Sequence, residues 1–379
     1  MRLPRFPTAA FVAVLMLSVA LAGCTGSDDG EDPVHMGVLM PLTGVAATLG
    51  EPAFKGAELA AKQINAAGGV DGRELILNVE DTQFPETEET LAAYTRLQGD
   101  GIQFIVGALA SDSTAAVKER ADTDKVVLMS PSSTRPSLSG AGHGYFYRTI
   151  ANDDVQGPQA AAFVYEDLDA DETVVMFQQT GYAEGLKDVF VPAYEDLGGD
   201  VTGDPISWTD DEASMASKAA EAAALAPEFI WISGQAPEIG TLIKELRDAG
   251  YSGDIMTSEA VEGDDVFNTG GSAIDGVYFT KSSPDLASTA YQDFLLAYQA
   301  EYGTGPGPFD VYAFDAVFVG AAAIEAVGND GEAIKEWLDS NSVSGRVSTP
   351  TISFLNGDVT SGGYTLWQID TSGRAFVPA

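Results

Sequence analysis

The chain has 379 residues, of which 45% are hydrophobic and 20% are charged, and its mean hydropathy is +0.02. This composition excludes a polytopic membrane protein and a wholly disordered chain, and the length favours two domains. The 57 acidic residues outnumber the 19 basic residues and give a formal net charge of -38. Nucleic acid is therefore not an expected partner, because no stripe of lysine and arginine is present to neutralise phosphates.

The N-terminus resembles the signal of an exported lipoprotein. Two arginines precede an apolar run over 9–22, which has the length of a secretory signal core and is short for a membrane span. The run ends in the sequence LAGC, which resembles the lipobox of prokaryotic lipoproteins. We therefore expect removal of a signal peptide over 1–23 and lipidation of Cys24, which would anchor the protein to the outer face of the cell membrane.

The segment after the lipobox differs in composition from the rest of the chain. Residues 24–33 are mostly small and acidic, which is typical of a flexible tether. Cys24 is the only cysteine in the sequence. An intrachain disulfide is therefore impossible, and the fold must depend on its hydrophobic cores.

From residue 34 onward, short apolar strands alternate with longer amphipathic patterns, which predicts parallel β-sheets covered by helices. The first unit is predicted as strand 34–40, helix 51–67, strand 74–80, helix 86–99, strand 102–107, helix 112–122 and strand 126–130. The second unit is predicted as helix 155–168, strand 172–177, helix 184–197, strand 201–207, helix 213–225, strand 228–233, helix 237–249 and strand 253–256. The remainder is predicted as strand 276–280, helices 287–302, 310–327 and 331–340, and short C-terminal strands.

These elements predict an α/β fold with two doubly wound parallel-sheet lobes. Turn residues cluster near 150, 281 and 345, where we expect the chain to cross between the lobes. The first lobe would contain 34–150 and 282–344. The second would contain 151–281 and 345–379.

Signatures of catalysis are absent from the sequence. The only histidines, His35 and His143, are far apart, so they suggest neither a metal cluster nor a Ser-His-Asp arrangement. The glycine-rich stretch over 303–308 follows a predicted helix rather than a strand, which is the wrong context for a dinucleotide loop. We expect no enzyme activity, no cofactor and no metal.

Two strand-to-helix junctions carry dense hydroxyl groups, and open α/β sheets bind ligands beyond such strand ends. The sequence ALASDST at 108–114 opens a helix whose N–H groups would suit an anion, although Ser111 or Asp112 would equally serve as a simple helix cap. The sequence SPSSTRP at 130–136 is an ordinary turn by itself. Facing the first junction, it would complete a cradle for a carboxylate and offer carbonyl groups to an ammonium group.

Several longer segments, taken in order, resemble the leucine/isoleucine/valine-binding proteins among the type I periplasmic binding proteins. The segments are PLTG at 41–44, KGAELAAKQINAAGGVDGREL at 55–75, GALASDST at 107–114, SPSSTRPSL at 130–138, DDVQG at 153–157, GYAEGL at 181–186 and GPFDVYAFDAV at 307–317. The resemblance implies three hinge crossings between the lobes. It also implies a monomeric extracytoplasmic receptor that binds a small, branched-chain or other apolar amino acid and delivers it to the permease of an ABC transporter.

The resemblance also assigns roles to individual residues. Ser111 matches the serine that binds the ligand carboxylate, Thr134 matches a threonine that contacts both the carboxylate and the ammonium group, and Ser132 or Ser133 matches a backbone contact. Glu259 matches the acid that pairs with the ammonium group. Tyr182 resembles the aromatic wall from the second lobe, and Asp153 or Asp154 is a weaker candidate at the hinge.

Three departures from the family pattern affect the pocket for the ligand side chain. Leu49 replaces a tryptophan, Gln235 and Ala236 replace a pair of tyrosines, and Phe309 replaces a tyrosine. These changes leave the groups for the amino-acid backbone in place and reshape the rest of the pocket. The identity of the ligand side chain is therefore open.

We hypothesise that the two lobes close because Ser111 and Thr134 hold the ligand from one side while Tyr182 and Glu259 reach it from the other. A binding protein of the same fold for an amide, urea or a short-chain carboxylate is the main competing hypothesis, since such ligands lack the ammonium group. A ligand-sensing receptor domain is a second competing hypothesis, and an exported α/β enzyme is a third.

The net charge leads to a prediction about salt. Carboxylates spread over the whole chain repel one another in dilute buffer, and the Debye length falls to about 3 Å at 1 M salt. We expect a halophilic source and a higher unfolding temperature in multimolar KCl than in dilute buffer, measured by thermal denaturation. Equal stability in the two solutions would contradict this expectation.

Overall fold

The computed structural model describes residues 32–209 and 211–379. The predicted signal peptide, Cys24 and most of the predicted tether lie outside the described residues. The described part of the chain contains two α/β lobes, each built on its own sheet.

The first pass of the chain builds most of the first lobe. Its elements are β1 (Val34–Met40), α1 (Ala47–Ala66), β2 (Leu75–Asp81), α2 (Thr87–Gly99), β3 (Phe104–Gly107), α3 (Ser111–Asp124), β4 (Val127–Ser130) and β5 (Phe146–Arg148). Strands β1, β3 and β4 are almost wholly apolar and buried, as expected for central strands covered by helices on both faces.

The second pass builds the second lobe. Its elements are α4 (Asp153–Ala162), β6 (Glu172–Gln178), α5 (Gly181–Leu197), β7 (Asp200–Val201), β8 (Ile206–Trp208), α6 (Glu212–Ala224), β9 (Phe229–Ser233), α7 (Glu238–Asp248), β10 (Asp254–Thr257), α8 (Asp264–Gly270) and β11 (Tyr278–Ser282). The aromatic rings of Phe190 and Trp231 stack at a centroid distance of 3.9 Å, which joins α5 to β9 inside this lobe.

The last part of the chain returns to the first lobe and then finishes in the second. Its elements are α9 (Thr289–Tyr302), α10 (Asp310–Val327), α11 (Gly331–Leu338), β12 (Ser342–Ser344), β13 (Thr351–Leu355), β14 (Asp358–Val359), β15 (Tyr364–Asp370) and β16 (Ala375–Pro378). No single helix of the described residues is long and apolar enough to cross a membrane, although α10 and α11 together pass by length and composition as a sharply bent pair. Helix α10 is largely buried in the core of the first lobe.

The sheet order defines where the chain passes between the lobes. The first sheet runs β12-β13-β14-β5-β4-β3-β1-β2 and the second runs β16-β15-β11-β10-β9-β6-β7, with β8 also paired to β6. The chain therefore crosses after β5, after β11 and after β14. The third crossing was expected near 345, and this position is wrong, because β14 pairs in parallel with β5 of the first sheet. The crossing lies between Val359 and Tyr364.

Helix α1 packs closely against the start of α10 in the first lobe. A Cβ atom at Gly56 of α1 would lie 2.2 Å from the carbonyl oxygen of Asp310, so the absent side chain lets α1 lie directly on the start of α10. The neighbouring Phe309 is the N-cap residue of α10 and is buried in the core of the first lobe. In both sheets the carboxyl ends of the central parallel strands meet at one edge, and these two edges face each other.

Candidate ligand-binding site

A cavity of about 50 Å³ lies between the two lobes at the carboxyl ends of their strands. Its walls come from both lobes. The first lobe contributes Ala46, Leu49, Phe84, Leu109, Ala110, Ser111, Ser132 and Phe309, and the second contributes Tyr182, Gln235, Glu259 and Ala260. Seven of the predicted ligand contacts therefore line one cavity, namely Leu49, Ser111, Ser132, Tyr182, Gln235, Glu259 and Phe309.

The first turn of α3 forms the side of the cavity that suits an anion. Its N-cap residue is Ala110, and no side chain caps the turn. The simple-cap interpretation of Ser111 or Asp112 is therefore wrong. The first N–H groups of a helix have no partner inside the helix, and they carry the positive end of its dipole. Ser111, which is buried at the cavity wall, adds a hydroxyl group to them.

The loop after β4 separates the three predicted hydroxyl residues into different roles. Ser132 lines the cavity. Ser133 is fully buried, and its Oγ donates a hydrogen bond to the Leu109 carbonyl at 3.0 Å and shares another with Thr114 Oγ1 at 2.8 Å. These bonds connect the loop to the start of α3. Thr134 is also buried outside the cavity wall, and its hydroxyl lies beside the carboxylate of Asp153.

Glu259 supplies the opposite charge from the second lobe. It lies directly after β10 in a short 3-10 turn, and its side chain is 2% exposed. Its carboxylate accepts hydrogen bonds from Tyr182 Oη at 2.9 Å and from Gln156 Nε2, and both donors are neutral. Burial raises the pKa of the Glu259 carboxyl group. In the part of the chain that the structure describes, no lysine or arginine forms an ion pair with it.

Asp153 is a second buried carboxyl group beside Glu259. It begins α4 at the first crossing and is 0% exposed, and the Thr134 hydroxyl lies beside its carboxylate and acts to lower its pKa. Burial and the charge of Glu259 raise its pKa well above the ordinary value. Of the two candidates predicted at the hinge, Asp153 is buried and Asp154 is exposed. The Asp154 carboxylate accepts a hydrogen bond from Asn152 Nδ2 at 3.4 Å.

The nearest buried cation does not neutralise these two acids. Arg148 is fully buried, but its guanidinium group pairs with Asp358 at 2.6 Å and donates to the carbonyl groups of Ser133 and Arg135. It lowers the pKa of Asp153 only as a minor influence. The deep end of the site is therefore acidic and suits a cationic group of a ligand.

The remaining wall is mostly apolar. Leu49, Phe84, Leu109 and Phe309 form it together with small alanine side chains, and Gln235 is its polar member. Sequence reasoning missed Phe84, which follows β2 at the same sheet edge and would have been found by applying the strand-end rule to every strand. It also missed Gln156, which lies inside the quoted DDVQG segment and bonds to both Glu259 and Thr280.

A cavity between two α/β lobes, with an uncapped helix start on one side and a buried acid on the other, is typical of a two-lobed solute-binding protein. Residues 33–374 match the family model described as "Periplasmic binding protein". The match spans most of the chain, and the chain belongs to this family.

Curated relatives and solved structures agree with this family. The chain is 28% identical to "Leu/Ile/Val-binding protein homolog 3" of Brucella melitensis, over 94% of this chain and 97% of that protein. It is 28% identical to the "Leucine-, isoleucine-, valine-, threonine-, and alanine-binding protein" of Pseudomonas aeruginosa, over 93% and 94%. The crystal structure of a leucine binding protein of Thermotoga maritima superposes with a TM-score of 0.80 at 25% identity, over 91% of this chain and 99% of that one.

The buried pair of acids predicts a pH effect on stability. The pKa of Asp153 is raised in the folded state above an unfolded value of about 3.9, so the protonated side chain stabilises the folded state fully below that pH. As the pH rises through the folded pKa, the unfolded state releases its proton first and the free energy of unfolding of the wild type falls. We therefore expect Asp153→Asn to gain on the order of 1–3 kcal/mol of unfolding free energy relative to the wild type between pH 4 and pH 8.

Denaturant unfolding of the ligand-free protein at several pH values in molar KCl measures this difference. Asp154→Asn makes the same chemical change at the exposed neighbour and serves as the control, and we expect little pH dependence from it. A difference for Asp153→Asn that does not vary with pH would contradict the prediction.

Proposed function

We propose that this protein is the extracytoplasmic receptor of an ABC importer and binds a small apolar amino acid between its two lobes. The observation that carries the proposal is the opposite polarity of the two cavity walls, because the uncapped start of α3 faces a buried Glu259. A free amino acid carries both charges on adjacent groups. The names of the relatives from Brucella and Pseudomonas support an amino acid as the ligand.

The cavity walls assign an orientation to such a ligand. Its carboxylate would accept hydrogen bonds from the first turn of α3 and from Ser111 and Ser132, with Thr134 as a further candidate. Its ammonium group would pair with Glu259. Charge-assisted hydrogen bonds of this kind contribute roughly 1.5–3 kcal/mol each, so a few of them, less the ordering costs, account for the roughly −8 kcal/mol of a micromolar receptor.

The apolar wall determines the class of side chain. Leu49, Phe84 and Phe309 would cover an aliphatic side chain, and its burial adds about 0.8 kcal/mol for each CH₂ group. The modest cavity volume of about 50 Å³ favours a compact branched or short side chain. Gln235 is the polar residue of this wall, so it would give the pocket a different selectivity for ligand side chains from that of a fully apolar pocket.

The setting of the receptor also belongs to the proposal. The LAGC sequence at Cys24 supports a lipid anchor on the outer face of the membrane, and the net charge of -38 supports a high-salt environment. The monomer would carry its ligand to the permease subunits. An amide, urea or short-chain carboxylate as the ligand would leave Glu259 buried without a cationic partner, which is costly for a carboxylate.

Replacement of the acid tests the proposal. We expect Glu259→Gln to weaken amino-acid binding about 10- to 100-fold, because it removes the charge that pairs with the ammonium group. The ligands are chosen by a thermal-shift screen of the twenty amino acids, amides and urea in molar KCl, since a tight ligand raises the unfolding temperature. Affinity is then measured by calorimetry.

The exposed Glu336 on α11 offers a matched control, because Glu336→Gln makes the same chemical change outside the cavity wall. The control should bind like the wild type. Unchanged amino-acid affinity in a folded Glu259→Gln protein would remove Glu259 from the site, and a wild type that responds to amides or urea instead of amino acids would favour a receptor for those ligands.

A further inference from the structure

A second set of contacts joins the lobes next to the cavity. Asp112 lies beside Ser111 in the first turn of α3, and its Oδ1 accepts a hydrogen bond from the Gly181 N–H at 3.1 Å. Gly181 belongs to the other lobe, where it begins α5. The Tyr182 N–H also faces the Asp112 carboxylate. A carboxylate at a helix N-terminus is favoured by the free N–H groups and by the helix dipole.

This contact supplements a cap that α5 already has. The Thr180 hydroxyl accepts a hydrogen bond from the Ala183 N–H within the second lobe. Asp112 therefore caps the same helix from the first lobe. The cap from Thr180 lies within the second lobe, whereas the hydrogen bond from the Gly181 N–H to Asp112 is a contact between the two lobes.

Arg135 completes the contact from the loop after β4. Its Nη1 lies 3.8 Å from Asp112 Oδ1, and the side chain lies across the start of α5. Glu184 and Asp188 of α5 line the same groove as Arg135, so the cation faces an acidic helix surface. Arg135 thus neutralises Asp112 and also approaches the acids of the opposite lobe.

Two glycines one helical turn apart make room for these side chains. A Cβ atom at Gly181 would lie 2.2 Å from Asp112 Oδ1 and 2.5 Å from Arg135 Nη1. A Cβ atom at Gly185 would lie 3.3 Å from Arg135 Cγ. Any side chain at Gly181 would therefore displace the two residues that arrive from the first lobe.

We propose that Asp112, Arg135, Gly181 and Gly185 form an interlobe clasp, which is present when the lobes are closed and which positions Tyr182 at the ligand. The clasp adjoins the cavity on both sides, because Ser111 precedes Asp112 and Tyr182 follows Gly181. Its residues act through closure rather than by contact with the ligand. The role in ligand binding rests on the proposed function.

The clasp predicts how binding kinetics change. A ligand first binds the open first lobe, so association should change little. Closure then determines how long the ligand stays. In Gly181→Ala the ends of the Asp112 and Arg135 side chains must move away from α5, so the contacts of the clasp are lost. We expect the dissociation rate to rise about tenfold or more, with an association rate within about twofold of the wild type.

A double variant separates the clasp from a local effect on Tyr182. Asp112→Ala removes the oxygen that the new Cβ would strike, and the end of the Arg135 side chain is free to move aside. Asp112→Ala alone should also weaken binding. If the clasp operates, adding Gly181→Ala to Asp112→Ala should cost little more, because the clash no longer exists.

The measurements are stopped-flow and calorimetric binding of leucine, isoleucine, valine, threonine and alanine, and small-angle scattering of the full chain with and without them. With the amino acid bound, Gly181→Ala should keep a larger radius of gyration than the wild type. Gly99→Ala is the matched control, because Gly99 is also helical and a Cβ atom there would meet nothing within 4 Å. Alanine favours helices over glycine, and thermal unfolding verifies that each variant is folded.

Two results would overturn the clasp. One is wild-type binding and scattering in Gly181→Ala, and the other is an equal loss from Gly181→Ala in the presence and absence of the Asp112 carboxylate. If the wild type bound none of the five amino acids, the proposed function would fail instead. The same kinetic comparison with the amide or urea that the thermal-shift screen selects would then decide the clasp, with faster dissociation from Gly181→Ala in support and an equal dissociation rate against.

Discussion

A buried carboxylate without a cationic partner is the constraint on which this structure depends. Glu259 lines the cavity and Asp153 lies buried beside it, while Arg148 pairs with Asp358 and donates to backbone carbonyl groups. An isolated buried charge is expensive, so such a site takes up a proton or pairs with a cation. The ammonium group of an amino acid would provide that cation, and the free N–H groups of α3 would hold the carboxylate at its other end.

The topology places the charged groups of both lobes at the same cleft. Both sheets present the carboxyl ends of their parallel strands to the same cleft, so short loops from separate lobes reach one small volume. Contacts between the lobes, such as Thr48 Oγ1 to Asp265 Oδ2 at 2.8 Å and the Asp112 cap on α5, lie outside the cavity wall. Ligand affinity would thus depend on residues that never touch the ligand.

The sequence predicted most of the strands and the hydroxyl loops because both depend on local patterns, but it missed β5 and joined β7 and β8 into one strand. The amphipathic pattern placed the start of α1 at 51, whereas α1 begins at Ala47 and contains Pro52. The Asn356-Gly357 turn is a local hairpin signal that joins β13 to β14, but the pairing of β14 with β5 is long-range and no local pattern shows it, so the third crossing was misplaced. Asp153 and Asp154 were separable in principle, since the buried positions 153, 156, 157 and 160 follow a helical period.

The claim that the lobes grip a zwitterion by its two poles is tested most directly by calorimetry with three matched ligands. The tightest-binding amino acid among leucine, isoleucine, valine and alanine would be compared with its amide, which lacks the carboxylate, and with its des-amino acid, which lacks the ammonium group. We expect both analogues to bind at least about tenfold more weakly, because each loses one set of charge-assisted hydrogen bonds. A des-amino acid that binds as tightly as the parent would contradict the account.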